Sequence, residues 1–475
     1  MSSTSRRPVA ALASALFPGW GQVYLGEVDK GRKLLLANGV IILVGVATLA
    51  WLRLDALKLW VSSTGIALMM AANLALFGYR WLATIDVWNT GPARGDAQPL
   101  ESAALTLVAL VLVVPHVAFG YLASTQYSLL DTVFDDGGTA APATTTTTLP
   151  PTSSEETPPV STTTTVAPST TLPEPALWDG VERLNIALFG ADAGAGRRGL
   201  RTDTTIVVSI DPETGDVAMF SVPRDFSAIP LPGGLGPWDC NCFPDLITHL
   251  YAAAEERPEE FPGPDTAGIN ALKAALGELF GIPIHHYALV TLDGFVDIVD
   301  ALGGVTIEVP VTIRDETYPH EDGSVEDITI EAGTRHLNGH EALAYARIRR
   351  HSDDFARMHR QRCVLGALVE QSSPTEILFR FGAIAEALKR SLMTDIPQER
   401  LADFIDLLPV VSTERIASLR ITRDEYQIGE GPGRVYYDVE RIRADAQAVM
   451  DDPVAAIAEL GLGSLDQSCD AGEGL

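Results

Sequence analysis

Between residues 34 and 122 the chain carries three long apolar stretches, Leu34 to Leu52, Leu59 to Phe77 and Ala103 to Leu122. Each is close to the roughly 20 residues a helix needs to cross a bilayer. The pattern predicts a helical membrane region of three spans over residues 34–123. The shorter apolar stretch before it, Val9 to Leu25, contains Pro18, Gly19 and Gly21 and runs into Gly26. Such breakers suit a re-entrant or surface-lying segment better than a fourth span, which makes residues 1–33 a cytoplasmic N-terminus. No small-residue cleavage site separates that segment from the spans, so it does not read as a removable leader. Arg6, Arg7, Lys30, Arg32 and Lys33 precede the first span, and no Lys or Arg occurs between the third span and Arg183. The positive residues thus place the N-terminus inside and everything after about Ser124 outside, with Arg53 and Lys58 the exception in a short loop.

A chain of 475 residues exceeds one ordinary core, and a hydrophobic fraction of 46% beside a net charge of -28 fits a membrane part joined to an acidic soluble part. Clustered basic surface on the scale that nucleic acid requires is missing, so no nucleic-acid partner is expected. Residues 124–177 form a linker. From about Asp135 to Pro175 they are mostly Thr, Pro, Ser and Ala, too poor in large apolar side chains to offset the entropy of ordering. Outside a cell such a tract is a candidate glycosylated stalk whose extension would lift the next domain off the membrane. The four cysteines, Cys240, Cys242, Cys363 and Cys469, include no CxxC pair. They exclude a zinc ribbon or thioredoxin-like motif, and they leave any disulfide partners open.

Residues 178–453 read as an α/β domain, followed by a flexible tail at 454–475. Strand-like runs at Leu184 to Phe189, Thr204 to Ile210 and Val217 to Val222 come first, the last two joined by the turn Asp211 to Asp216. Ile269, Leu272, Leu276 and Leu279 keep helical spacing up to the break at Gly281-Ile282-Pro283. A buried strand at Tyr287 to Leu292, a helix at about Gly294 to Ala301, a Gly303-Gly304 stop and a strand at Val305 to Val309 complete a layered unit.

If the first three strands run up, down and up, then Asp192 after the first, Asp203 before the second and Arg224 after the third meet at one sheet edge. Adjacent carboxylates favour a hard cation such as Mg²⁺, which would bridge them to phosphate oxygens, while Arg224 offers a planar fork to the same phosphate. The plainer alternative is that Asp203 caps a turn and Arg224-Asp225 is a surface ion pair. Gly194-Ala195-Gly196-Arg197-Arg198-Gly199 matches GxGxxG. It leads into a strand rather than a helix, so it reads as a basic rim loop with Arg197, Arg198 and Arg201 and not as a dinucleotide site. A second cluster, Arg347, Arg349, Arg350, Arg357, Arg360 and Arg362, crowds an otherwise acidic chain. Arg347 and Arg349 share a side only if the chain has left the helix begun near His340, whereas Arg357, Arg360 and Gln361 share one face of a helix that Asp353 or Asp354 could cap. Both sets could converge on a diphosphate; the alternative is a solvated, salt-bridged helix face. His336 and His340, four apart without an HExxH pattern, read as surface histidines, and neither a GxSxG elbow nor a P-loop occurs.

The segments "NIALFGADAG", "LRTDTTIVVSIDPETGDVAMFSVPRD", "LDGFVDIVDALGGVTIEVP", "LNGHEALAYARIRR" and "DDFARMHRQR", in this order and spacing, resemble the successive motifs of the LytR-CpsA-Psr family. The resemblance covers roughly Leu184 to Glu370. It implies a three-layer α/β/α domain with a mixed central sheet, a long apolar cleft for a polyprenyl tail and a polar mouth for its pyrophosphate. It also implies a phosphotransferase at the outer face of the cell membrane that moves an anionic glycopolymer from a polyprenyl pyrophosphate carrier to peptidoglycan. On this resemblance Asp192 and Asp203 hold Mg²⁺ (or Mn²⁺), and Arg201, Arg224, Arg347, Arg349, Arg357 and Gln361 surround the pyrophosphate. Asp192, Arg224, Arg347 and Arg349 would be the catalytic set, with Asp192 a candidate general base. A pyrophosphate hydrolase using water at the same site, and a non-catalytic wall-binding or regulatory protein, are the alternative functions. The chain departs from the pattern at Ala356, at Arg362 and at Thr248-His249, while the stretches Trp238 to Phe243 and Thr312 to Glu331 could reshape the acceptor side.

Overall fold

The computed structural model describes residues 6–51, 58–90, 99–134, 180–192, 199–320, 324–348, 354–371, 374–407, 410–411, 415–460 and 463–464. The membrane region opens with a helical hairpin, α1 (Arg6–Leu16) and α2 (Trp20–Leu25), and continues in α3 (Val28–Trp51), α4 (Ser63–Thr90) and α5 (Pro99–Phe134). Small residues make the hairpin: a Cβ on Gly21 would stand 2.1 Å from the Ala10 carbonyl oxygen. Ala10, Ala11 and Ala15 bury a smooth face against Val87 of α4 and Val108 and Leu112 of α5. Arg80 of α4 donates to the Ala15 carbonyl at 3.0 Å, satisfying an acceptor that the end of α1 would otherwise leave open. The expected breaker-rich segment is therefore two short helices packed on the longer ones.

Among the described residues two helices, not the expected three, are long and apolar enough to cross a membrane, Ser63–Thr90 and Leu105–Phe134. The expected first span falls on α3, where Asp29, Lys30, Arg32 and Lys33 occupy the first turns and Leu52 lies outside the described residues.

The rest of the chain builds the α/β domain. Its first elements are β1 (Leu184–Asp192), β2 (Arg201–Ile210), β3 (Val217–Val222), β4 (Ser227–Pro230), β5 (Cys242–Leu246), α6 (Leu250–Glu255), α7 (Ala267–Phe280), β6 (His286–Thr291) and α8 (Leu292–Leu302). A second group follows: β7 (Val305–Val309), β8 (Ile313–Pro319), β9 (Val325–Ile330), β10 (Gly333–Leu337), α9 (Gly339–Arg347), α10 (Asp354–Gln371) and α11 (Pro374–Ser391). The chain closes through β11 (Leu392–Thr394), α12 (Leu401–Leu407), β12 (Ile416–Arg420), α13 (Arg423–Tyr426), β13 (Gln427–Gly431), β14 (Arg434–Tyr437), α14 (Val439–Asp451), α15 (Pro453–Leu460) and β15 (Gly463–Ser464).

Seven strands form one mixed sheet in the order β11-β6-β1-β2-β3-β12-β15. Strand β1 is antiparallel to β2 and parallel to β6, and β3 is antiparallel to β2 and parallel to β12. One face, with Phe189, Val207, Phe220 and Leu289, is covered by α6, α7 and α14 through Leu250, Ile269, Leu272, Leu276, Leu279, Ile442 and Val449. Each such side chain contributes roughly 2 kcal/mol on burial. Thr266 caps α7 and Gly281, at φ 68°, ends it, as the breaker at that point predicts. The opposite face carries Leu184, Ile186, Ile206 and Met219; α12 covers part of it through Leu407. A smaller core, from Val299, Ile307, Tyr318, Ile330, Tyr345 and Val364, ties α8, α9 and α10 to the β7–β10 and β8–β9 pairs. The chain expected to be tail continues the domain: α15 packs Ala456 into the main core, and β15 extends the sheet beside β12. Cys240 and Cys242 pair with each other across Asn241, and Cys363 is also disulfide-bonded.

The C-terminal part of α5 keeps Leu130 against Ile66 of α4 and also packs on the α/β domain. Leu129 and Val133 close over Ala385 of α11, and Lys389 donates to the Ser128 hydroxyl at 2.7 Å. Lys58 reaches Asp406 at 2.7 Å, and Trp60 meets Phe381 edge-on. At the far edge of the sheet, Asp395 accepts from the Tyr287 amide at 2.8 Å and pairs with Lys273 of α7 at 2.7 Å. Burial pushes the Asp395 carboxyl pKa upward. The His286 ring, the Lys273 ammonium and the Tyr287 amide outweigh that and hold it below the ordinary carboxylate value.

Two outcomes follow from these contacts. Ala385→Arg places a charge in the seam with α5; amide hydrogen exchange at Leu129 to Phe134 should accelerate while the α/β domain keeps its own unfolding transition. Asp395→Asn should cost about 2 kcal/mol near neutral pH, because it leaves Lys273 only the longer contacts to Asp265 and the His285 carbonyl among the described residues. The stability that Asp395 contributes is present above the unfolded-chain carboxylate pKa of roughly 4 and is lost as pH falls through the lower folded value, so the variant's unfolding should show a flatter acid limb there.

Candidate functional site

Three consecutive strands alternate in direction, so the end of β1, the start of β2 and the exit of β3 meet at one edge of the sheet. Asp192 pairs in register with Arg201, and Asp203 follows one turn of the pleat later beside a register shift in β1 at Gly190/Ala191. That irregularity re-aims the strand end. The Arg224 guanidinium reaches Asp203 at 2.9 Å, and the Thr248 hydroxyl donates to the same oxygen at 3.2 Å. Burial raises the Asp203 pKa, but the charges of Arg224 and Arg357 and the bonds from Arg224 and Thr248 prevail and hold it low. Asp203 is thus an ionised partner of Arg224, not a turn cap; Asp225 points away and pairs with Arg423 and Tyr437.

The second cluster arrives at the same edge from far along the chain. Asn338 and Glu341 form a capping box that starts α9, and the helix stops at Arg347 because Ile348 is already extended, with ψ 130°. Arg347, on that last turn, donates to Asp192 at 3.0 Å; the Asp192 side chain is only 2% exposed. Arg357 and Gln361 lie in the first two turns of α10 and line the same cleft. Arg349 and Arg350 lie outside the described residues, as do Arg197 and Arg198.

Arg360 does not share their surroundings, contrary to the helical spacing. It is buried, donating to the Tyr345 carbonyl at 2.7 Å and to the Ile348 carbonyl, so it fastens α10 to the end of α9 and fixes where Arg347 emerges. Arg362 is likewise buried, bonded to Ser418 at 2.9 Å.

Behind this polar edge lies a cleft of about 760 Å³ between the second face of the sheet and helices α8, α9 and α10. Its polar lining includes Arg201, Asp203, Arg224, Asp315, Arg347, Arg357 and Gln361. Its apolar lining includes Leu188, Ile206 and Val290 of the sheet, Phe295 and Ile298 of α8, and Val364, Leu365 and Leu368 of α10. Along α10 the order is polar to apolar, from Arg357 and Gln361 to Leu368, so the cleft has a charged mouth and an oily body. Arginine forks at such a mouth suit phosphate oxygens, and the body suits a hydrocarbon chain.

No three acid, His or Cys side chains gather as a metal site among the described residues. Magnesium commonly takes one or two carboxylates and completes its shell with phosphate and water, so the Asp192 and Asp203 pair is a sufficient protein contribution. Both carboxylates are engaged by guanidinium groups here.

The spacing arguments did not point to Thr248 or Tyr318. Thr248 carried a signal only as a departure from a resembled pattern. Tyr318 sits in the Thr312 to Glu331 stretch, enters the cleft wall from β8, and places its ring 5.9 Å from the Arg347 guanidinium carbon.

Comparison with known proteins finds relatives of this chain. The polyisoprenyl-teichoic acid–peptidoglycan teichoic acid transferase TagU of Halalkalibacterium halodurans is 31% identical over 214 residues, which is 45% of this chain and 60% of that protein. The transferase of the same description named TagV, from Bacillus subtilis, is 29% identical over 270 residues, 54% of this chain and 62% of that protein. The chain thus matches less than two thirds of the length of these curated relatives. The crystal structure of B. subtilis TagV aligns with 57% of this chain and 98% of its own at 27% identity, with a TM-score of 0.43. The family model described as the LytR_cpsA_psr family matches residues 149–449, well over half of the chain. The chain belongs to the LytR-CpsA-Psr family.

Proposed function

We propose that this protein is a membrane-anchored phosphotransferase that moves an anionic glycopolymer from a polyprenyl pyrophosphate carrier to peptidoglycan at the outer face of the cell membrane. The observation that carries the reading is one cleft whose mouth holds Arg201, Arg224, Arg347 and Arg357 and whose body is hydrocarbon. A lipid diphosphate presents the same two halves, and the names of the relatives describe transfer of a polyisoprenyl-linked polymer to peptidoglycan. The two long apolar helices, α4 and α5, supply the membrane anchor on this reading.

In this mechanism a peptidoglycan hydroxyl attacks the glycopolymer-linked phosphorus. A new oxygen–phosphorus bond forms, the bond to the bridging oxygen breaks, and polyprenyl phosphate leaves with the electron pair. Arg224, Arg347, Arg349 and Arg357 bind the non-bridging oxygens most tightly as charge grows on them. Gln361 and Arg201 complete the lining. Asp192 holds Arg347 at the mouth until phosphate takes over the guanidinium, and Asp192 is the carboxylate assigned the hydroxyl proton. Asp192 and Asp203 would hold Mg²⁺ (or Mn²⁺), which supplies further neutralisation of the diphosphate charge.

Arg347→Ala should lower transfer by roughly 10²- to 10³-fold without loss of fold, measured as polymer attached to peptidoglycan fragments by the purified full chain. Undiminished transfer would remove Arg347 from the mechanism, and equal diphosphate cleavage with and without peptidoglycan fragments would make the protein a hydrolase instead. Chelation by EDTA should stop transfer and Mg²⁺ should restore it; transfer that persists in EDTA would exclude the metal.

A further inference from the structure

The β8–β9 hairpin brings one side chain to the cleft that the proposed mechanism leaves unused. Tyr318 is 3% exposed, and its hydroxyl is buried without a hydrogen-bond partner among the described residues. A buried hydroxyl left unbonded costs roughly 1–3 kcal/mol, so native structures rarely keep one without a reason. The neighbouring Arg347 can donate toward the phenol oxygen, but having only donors it cannot accept the phenol's own proton. What satisfies both at once is an anionic oxygen, which accepts from the Arg347 fork and from the Tyr318 hydroxyl together.

The surroundings of Tyr318 hold it for that task. Its ring lies against the Arg347 guanidinium, with 5.9 Å from ring centre to guanidinium carbon, while Asp192 holds the same guanidinium at 3.0 Å. Edge-on contacts to His340 at 5.7 Å and His320 at 6.3 Å fix the ring's tilt. Those two imidazoles stack at 5.4 Å and share the carboxylate of Glu326, from β9, so the hairpin is clipped to α9 directly behind the tyrosine. Burial also keeps the phenol above its ordinary pKa against the opposing pull of Arg347, which leaves it protonated and able to donate.

We infer that Tyr318 is a donor-recognition residue: its hydroxyl bonds a phosphate oxygen held by Arg347 and so makes the cleft selective for a lipid diphosphate headgroup. The inference rests on the proposed function, since it assigns a recognising group to that same mouth. The hairpin thereby becomes part of the binding site, and the His320–Glu326–His340 clip becomes its positioning device.

The test uses the full chain in detergent micelles with three probes, undecaprenyl pyrophosphate, undecaprenyl phosphate and undecaprenol, whose affinities are measured by calorimetry. Wild type should rank them in that order. Tyr318→Phe keeps the ring on Arg347 and removes only the hydroxyl; it should weaken pyrophosphate binding about tenfold or more, the scale of one hydrogen bond to a charged group. Undecaprenol binding should stay unchanged, which a general loosening of the fold would not produce. Tyr318→Leu, lacking ring and hydroxyl, should lose more pyrophosphate affinity and also turnover, because Arg347 loses the ring it lies against. Tyr318→Phe with wild-type affinity and KM for the diphosphate donor would overturn the inference while leaving the proposed function standing. A wild type that binds undecaprenol as tightly as undecaprenyl pyrophosphate would overturn both.

Discussion

The Asp192–Arg347 ion pair joins the first strand of the sheet to a helix end that comes 155 residues later. A carboxylate with 2% side-chain exposure would be costly to bury alone, and a guanidinium facing an oily cleft would gain little by itself. Each makes the other's position tolerable. The geometry on either side serves that contact: the irregularity in β1 turns Asp192 to the edge, and α9 ends in time for Arg347 to meet it. Arg360 makes the second condition firm by bonding the two carbonyls at the close of α9. The cleft is bounded by the sheet face on one side and α8, α9 and α10 on the other, and this bridge joins the two sides, as the Arg362–Ser418 bond also does.

A pattern of charge replacement runs through the site. Asp203 and Arg224, like Asp192 and Arg347, neutralise each other. On the proposed function, an arriving diphosphate would exchange one set of oxygens for another around guanidinium groups already in place, with little reorganisation on binding. This is the sense in which the mouth is preorganised.

Much of this was legible in the residues. Val217–Val222 and Val305–Val309 are strands with the expected bounds, because turn residues flank short β-branched runs on both sides. The meeting of Asp192, Asp203 and Arg224 followed from alternating strand direction alone. Helical spacing placed Arg357 and Gln361 on one face correctly but included Arg360, since periodicity says which residues align and not what backbone stands opposite. Tyr318 was illegible for a related reason: its importance comes from a hairpin folding across to α9, a long-range contact without a local pattern. Pairing between Cys240 and Cys242 could not be read from spacing, and the resumption of structure in α15 and β15 was hidden by a composition that resembles a tail.

Helix α5 has 36 residues and carries Pro115 within it. At about 1.5 Å per residue it is roughly 54 Å long, well beyond a hydrocarbon thickness of about 30 Å. Its outer turns are the part bonded to α11, so the helix acts as a post whose free height depends on how much of it the lipid occupies. A thicker bilayer would draw the catalytic mouth toward the headgroups and a thinner one would raise it. On the proposed function, membrane thickness would, through one helix, set how far a carrier lipid must rise to be reached.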